Sequence, residues 1–317
     1  MQSRRYHVVL NPRSGAALAQ GLTADRLQSS FEAHGHEATI DADDTVEFAE
    51  RAKRARESDA QIIVSAGGDG TATGLAEAIA GTGKVLAVLP LGSANLLARD
   101  LNLPLDLDAT VAALGAMEPR QIDIGEVNGR VFLHKVVVGL IPSIAAAREQ
   151  VRGRREFGAA IGFLRYFVRR LARGRRMAVA ITSRDTTDRV ERVHAIAVAN
   201  NAYDEGFGKV FSRKQLDAGR LTLYTVRHLT LADVLRLGAE MVAGAWKQDD
   251  AVGIESVRSV TLQSKRPKLS VMIDGEVVVM DTPLAFRIRP LALSVLAPVP
   301  RQASAPAPAD AVEAVSG

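Results

Sequence analysis

In the first third of the chain, short β-prone runs alternate with stretches whose apolar residues recur at helical spacing, and this rhythm constrains the fold more than any single motif. Residues 6–10, 37–41, 61–65 and 84–89 read as strands, and 16–33, 45–57 and 71–80 as the helices between them. Strands joined through helices pair in parallel, because each crossover returns the chain to the same end of the sheet. The expected first domain, residues 1–120, is therefore a doubly wound α/β unit. Near Pro119 the rhythm changes to strand after strand: 121–127, 130–138, 177–183, 193–199, 221–226, 256–263, 268–273 and 276–280. A mainly β, sandwich-like second domain is expected over 121–300, with helical insertions at 148–175 and 231–246. The Ala-, Pro- and Ser-rich end, 301–317, has no periodic apolar face and reads as a disordered tail.

A length of 317 residues at 47% hydrophobic content supports two cores, and 24% charged residues is ordinary for a folded chain. The absence of cysteine excludes disulfides, thiolate zinc sites, iron–sulfur clusters and cysteine nucleophiles. The N-terminus runs directly into its first strand with no apolar signal core, so a cytoplasmic location is expected. The apolar run 136–147 is too short to span a bilayer and contains Gly139 and Pro142. Membrane contact, if made, is peripheral. Net charge is +4, yet ten arginines crowd residues 148–176 against only Glu149 and Glu156. There Phe157, Ile161 and Leu164 share one helical face and Arg165, Arg169 and Arg173 another. This pattern suits an interfacial helix on anionic lipid, and equally a core-packed helix with a solvated basic face. With 4% aromatic residues and no recognisable binding module, nucleic acid is not expected as a partner.

Chemistry concentrates in the turns. Ser65-Ala66-Gly67-Gly68-Asp69-Gly70-Thr71 leaves a buried strand and opens a helix, so backbone N–H groups converge where an anion can sit. Its glycines clear the side chains that would keep a phosphate away. The spacing is neither Walker A nor the dinucleotide fingerprint, and a plain strand-to-helix turn capped by Asp69 or Thr71 is the alternative. A second such turn, Pro90-Leu91-Gly92-Ser93-Ala94-Asn95, and a third, Asn11-Pro12-Arg13-Ser14-Gly15, belong to the same carboxyl edge of a parallel sheet, where ligands bind in open α/β folds. Three small-residue turns facing one crevice make a nucleotide cradle.

Taken together, NPRSG, GGDGT and the PLGSANLLAR segment resemble the motif series of the diacylglycerol kinase catalytic-domain family, which includes bacterial lipid kinases and sphingosine kinases, with NAD kinases more distantly related. The resemblance implies a nucleotide-binding α/β domain, a β-rich second domain and an active site between them, with ATP and magnesium as cofactors and a membrane lipid as acceptor. By similarity Asn11, Pro12, Ser14, Gly15, Gly67, Gly68, Gly70, Thr71, Gly92, Ser93 and Asn95 contact the nucleotide. Asp69 stands closest to the transferring phosphate or its magnesium. Where many members carry an aspartate after the asparagine of the second turn, this chain has Leu96.

The segment 268–280 places two β-prone runs around Asp274-Gly275, a strong two-residue hairpin signal. In the family a matching D-G-E carries the general base, so the resemblance assigns Glu276 as proton acceptor with Asp274 as its supporting acid; Asp69 is the competing base. Asp217 precedes Ala218-Gly219 where relatives have an aspartate next to the glycine, which makes it a turn residue before a metal ligand. The six histidines, His134 among them, read as structural. Two rivals to lipid phosphotransfer remain: an NAD kinase, which shares GGDGT, and a catalytically idle sensor of lipid or nucleotide. A homodimer is compatible with the sequence.

Overall fold

The computed structural model describes residues 4–139, 142, 176–204, 212–227, 230, 232–233, 236, 239–240 and 252–299. The arginine-rich helix, most of the second helical insertion and the tail expected from the sequence lie outside them.

The first domain runs β1 (Arg5–Leu10), α1 (Gly15–Gln20), α2 (Ala24–Ala33), β2 (Glu37–Asp41), α3 (Phe48–Glu57), β3 (Ile62–Gly67), α4 (Asp69–Ile79) and β4 (Val85–Pro90), followed by α5 (Leu96–Asp100) and α6 (Leu107–Ala113). Its strands pair in parallel in the order β2-β1-β3-β4. The helix expected over 16–33 is two helices. Gly21, at φ 57°, closes α1 in a left-handed conformation that costs glycine little. The Thr23 hydroxyl then accepts the Arg26 N–H and opens α2. Burial along β3 is continuous, because a parallel strand has helices on both faces.

The second domain comprises β5 (Glu118–Val127), β6 (Arg130–Phe132), β7 (Lys135–Gly139), β8 (Met177–Thr182), β9 (Arg189–Val193), β10 (Ala195–Asn200), β11 (Leu221–Val226), β12 (Val252–Val257), β13 (Ser259–Ser264), β14 (Lys268–Ile273), β15 (Glu276–Asp281) and β16 (Leu284–Ala297). One of its sheets has the order β12-β11-β10-β7-β14-β15. The other continues from β4 through β16, β13, β8 and β9, with β5 also on β16. A second core, including Phe132, Val136, Ile196, Val271 and Phe286, fills the space between the sheets.

Two strands expected from sequence are each divided between sheets. The run 130–138 becomes β6 in one and β7 in the other, and 256–263 falls across β12 and β13. The apolar pattern continues through both bends because the residues on either side still face the same core.

Sequence reading passes over β9 and, with larger consequence, β16. Its beginning pairs antiparallel with β13 and β5, and Ser294 and Val295 then lie parallel to Val85 and Leu86 of β4. An irregularity between Arg289 and Leu293, with Leu291 at φ 50°, turns the strand between these two duties. Leu293, Val295 and Leu296 thereby enter the core of the first domain from the far end of the chain. Leu293, only 1% exposed, tests this closure: Leu293→Ala is expected to lower unfolding stability by about 2–5 kcal/mol, read from the urea midpoint.

Candidate active site

All three small-residue turns meet at the carboxyl edge of the parallel sheet. Asn11 accepts the Arg13 N–H through its side-chain oxygen at 3.0 Å and donates from Nδ2 to the Thr71 hydroxyl at 3.4 Å. The Ala16 N–H reaches the Leu91 carbonyl at 3.1 Å, tying the Asn11 turn to the Pro90 turn. Asn95, left-handed at φ 50°, folds its side chain back to accept from Gly92 N at 2.7 Å and to donate to the Pro90 carbonyl at 3.2 Å. Gly92 and Gly68 pack backbone to backbone: a Cβ on Gly92 would stand 2.7 Å from the Gly68 Cα. Glycine is required here by close approach. Ser93 lies beside Gly15, and Gly70 faces open space. The hydroxyl of Ser14 is buried without a partner, an orphaned polar atom at the mouth of a cradle.

Asp69 begins α4 and accepts the Leu96 N–H at the start of α5 at 2.7 Å. Burial holds its carboxyl above the ordinary value, the Leu96 N–H opposes the rise and the nearby Asp274 adds to it. These two aspartates face each other across a cleft whose walls are Asp69, Ala72, Thr73, Leu96 and Leu97 from the first domain and Leu133, His134, Arg213 and Asp274 from the second.

Asp274 occupies the first position of a two-residue hairpin turn, with φ 47° there and 99° at Gly275. Its Oδ1 accepts from the N–H groups of His134 and Lys135 at 2.9 and 2.8 Å. Its Oδ2 accepts from Leu133 N at 2.6 Å and from the Thr73 hydroxyl at 2.8 Å. Glu276 starts β15 with its side chain exposed and is not among the cleft walls. The aspartate expected in support is thus the one in the cleft, and the expected base stands two residues along the chain, outside the lining.

A second buried carboxylate joins the domains from the other side. Asp100, at the end of α5, receives the Arg213 guanidinium at 2.9 Å from Nε and 2.6 Å from Nη2, and its Oδ1 accepts the Arg213 N–H at 2.9 Å. Nη1 of Arg213 donates to the carbonyls of Leu133 and Asn200 at 2.8 and 2.6 Å. Both side chains are 1% exposed. His134, read as structural from sequence, lies between these groups on the cleft wall, its Nδ1 3.1 Å from the Tyr203 hydroxyl. Lys135 extends over the Tyr203 ring with its ammonium 5.5 Å from the centroid, and burial pulls its pKa down to about 8 although Asp274 favours the charged form.

Asp217 is part-exposed and stands 3.7 Å from Arg120. Among the described residues no group of three or more His, Cys, Asp or Glu side chains is arranged to hold a metal ion. The aspartate that anchors that loop is Asp123, whose oxygens accept from Gly219 N at 2.6 Å and Leu291 N at 2.9 Å. Sequence reasoning missed Thr73, Asp100, Asp123 and Arg213. An aspartate between two isoleucines in a β-prone run, as at Asp123, is the signal that was available for that residue; the others depend on partners more than a hundred positions away.

Three glycine-rich turns on a doubly wound domain, beside a cleft shared with a β-rich second domain, fit a two-domain phosphotransferase. The family comparisons agree: residues 5–127 match the diacylglycerol kinase catalytic domain, and 136–297 match the YegS C-terminal NAD kinase beta sandwich-like domain. The chain belongs to the diacylglycerol kinase catalytic-domain family, and it is a kinase acting on an alcohol group. It is 25% identical over 289 residues to a diacylglycerol kinase of Staphylococcus carnosus, covering 86% of this chain and 89% of that one. Over a shorter span of 86 residues, 26% of this chain and 28% of the other, it is 45% identical to a probable lipid kinase YegS-like protein of Pseudomonas aeruginosa. A crystal structure of a diacylglycerol kinase from Bacillus anthracis shares the fold, with a TM-score of 0.65 at 14% identity over 93% of this chain and 97% of that one.

Two measurements probe the junction. Arg213→Ala strands the Asp100 carboxylate in the interior and is expected to cost about 3–5 kcal/mol in chemical denaturation, far more than an exposed arginine. Lys135 should titrate near pH 8 by 13C-labelled lysine NMR, with exposed lysines above pH 10. The sign follows from burial: the folded pKa lies below the unfolded one, so the cost of keeping the amine charged is present below pH 8. Stability gains from Lys135 as pH rises from about 8 towards the unfolded value.

Proposed function

We propose that this kinase transfers the γ-phosphate of ATP to the hydroxyl of a membrane lipid, with diacylglycerol as the first acceptor to test. The observation that carries the reading is the convergence of the three glycine turns, with the unpartnered Ser14 hydroxyl among them, on the edge of a cleft that holds Asp69. Phosphoryl transfer asks little covalent chemistry of the protein and depends on alignment and charge neutralisation. The backbone N–H groups and hydroxyls of Asn11, Ser14, Thr71, Ser93 and Asn95 hold the phosphates, and Gly67, Gly68, Gly70 and Gly92 let the backbone approach. Pro12 and Gly15 shape the first turn.

Magnesium fits this donor set only as an ion brought by the nucleotide. Asp69 is the carboxylate available to it in the cleft, since Asp274 has its oxygens engaged by four donors and position 96 is leucine. When bound with ATP, the ion neutralises charge on the transferring phosphate. The acceptor hydroxyl attacks the γ-phosphorus, the bond to the bridging oxygen of ADP breaks, and the hydroxyl proton passes to Glu276 late in the step. Glu276 is exposed, beside the turn that carries Asp274 into the cleft.

Among the described residues no helix is long and apolar enough to cross a membrane. The proposed approach is peripheral, with the arginine-rich segment 148–176 on anionic lipid and the body of the protein on the cytoplasmic side; a homodimer is compatible with this arrangement.

Radiolabel transfer from γ-labelled ATP and magnesium into diacylglycerol, sphingosine, phosphatidylglycerol and NAD, presented with detergent micelles, tests the proposal. Label in a lipid supports it; label in NAD alone replaces it with the NAD kinase reading. Asp69→Asn keeps a side-chain oxygen for the Leu96 N–H, so the turn persists, and turnover is expected to fall by at least about a hundredfold. Unchanged turnover in that variant would sink the assignment of Asp69.

A further inference from the structure

We infer that Asp274 is a positioning residue, and that its hydrogen bond from Thr73 is the contact that sets Glu276 against the phosphate held at Asp69. The inference rests on the phosphotransfer reading above and refines it. An ionised carboxylate offers about four acceptor sites, and Asp274 meets four donors at 2.6–2.9 Å. No lone pair remains for a substrate proton, which excludes Asp274 as the base; Glu276 is the base of the reaction proposed above.

The origin of the four donors gives the carboxylate its second task. Three are consecutive backbone N–H groups where the chain bends from β6 to β7, so they fix Asp274 within its own domain. The fourth comes from α4 of the other domain. Thr73 lies four residues after Asp69, one turn along the same helical face, and both side chains wall the cleft. On the acceptor side, Asp274 and Glu276 flank Gly275 in a turn whose two positive φ values leave it little freedom. The path from phosphate to proton acceptor is therefore short: Asp69, one helical turn, the Thr73 hydroxyl, the Asp274 carboxylate, one tight turn, Glu276. A hydrogen bond serving domain cohesion alone would not care whether position 276 can accept a proton.

A double-mutant cycle separates these roles. At saturating ATP and acceptor, Thr73→Val is expected to lower kcat about tenfold while KM for ATP stays within about twofold, and Thr73→Ser to restore the rate. In a Glu276→Gln background the same Thr73→Val change should cost less than about twofold, because the group it aligns is gone. A full tenfold loss in both backgrounds, a loss confined to KM for ATP, failure of serine to rescue, or no loss at all would overturn the inference. Thr73→Ala, a good helix former, carries the same expectations should the valine variant fold poorly. The acceptor does not enter the cycle. Transfer to NAD in place of lipid ends the lipid reading, and the non-additivity is then read on NAD.

Discussion

Between Phe132 and Lys135 the chain leaves one sheet for the other, and the crossing strips three consecutive N–H groups of their strand partners. Buried donors left unpaired would each cost about 1–3 kcal/mol. Asp274 receives all three at distances of 2.6–2.9 Å. Because its carboxylate sits on a hairpin from late in the chain, it fastens β14 and β15 to the bend and, through Thr73, fastens both to α4. Asp274 thus ties the β6–β7 bend, the β14–β15 hairpin and α4 together at the cleft, beside the Asp100–Arg213 pair and the β4–β16 pairing that also join the domains.

Two further buried carboxylates repeat the device. Asp123 pins the loop that ends at Gly219 and the irregularity at Leu291, which lets β16 change partners. Asp100 takes the Arg213 guanidinium, whose remaining donors close the carbonyls of Leu133 and Asn200. Isolated charges at such depth would be prohibitive, and each is tolerated because its acceptor capacity is met by N–H groups or by a guanidinium. The charged groups of the domain junction gather at the cleft, while Leu293, Val295 and Leu296 carry its apolar part in the core of the first domain.

The same geometry sets the electrostatics. Burial raises the Asp69 pKa and the nearby Asp274 adds to the rise, against the N–H groups of Leu96, Asn95 and Leu97 that favour the charged form, while Lys135 is depressed to about 8 by burial. Of the two aspartates in the cleft, Asp274 is engaged by four donors and Asp69 accepts from the start of α5.

Much of this was legible in the residues alone. Alternation of strand and helix gave the parallel sheet, since burial on both faces of β3 demands an unbroken apolar run and its helices demand periodic faces. The turns at Gly15, Gly68 and Gly92 were readable because close backbone approach leaves a local mark, glycine. Asp274-Gly275 was readable as a hairpin because two positive φ values admit few residues. Long-range pairing left no such mark. Nothing in 130–138 announces that the strand divides between sheets, because both halves face one core. Nothing in 284–297 announces that the last strand completes the first sheet. Thr73, Asp100 and Arg213 look like ordinary polar residues until folding brings each to a partner more than a hundred positions away. Local sequence determines conformations that local sterics control; which carboxylate becomes a clasp is decided by who donates to it, and only the tertiary structure supplies the donors.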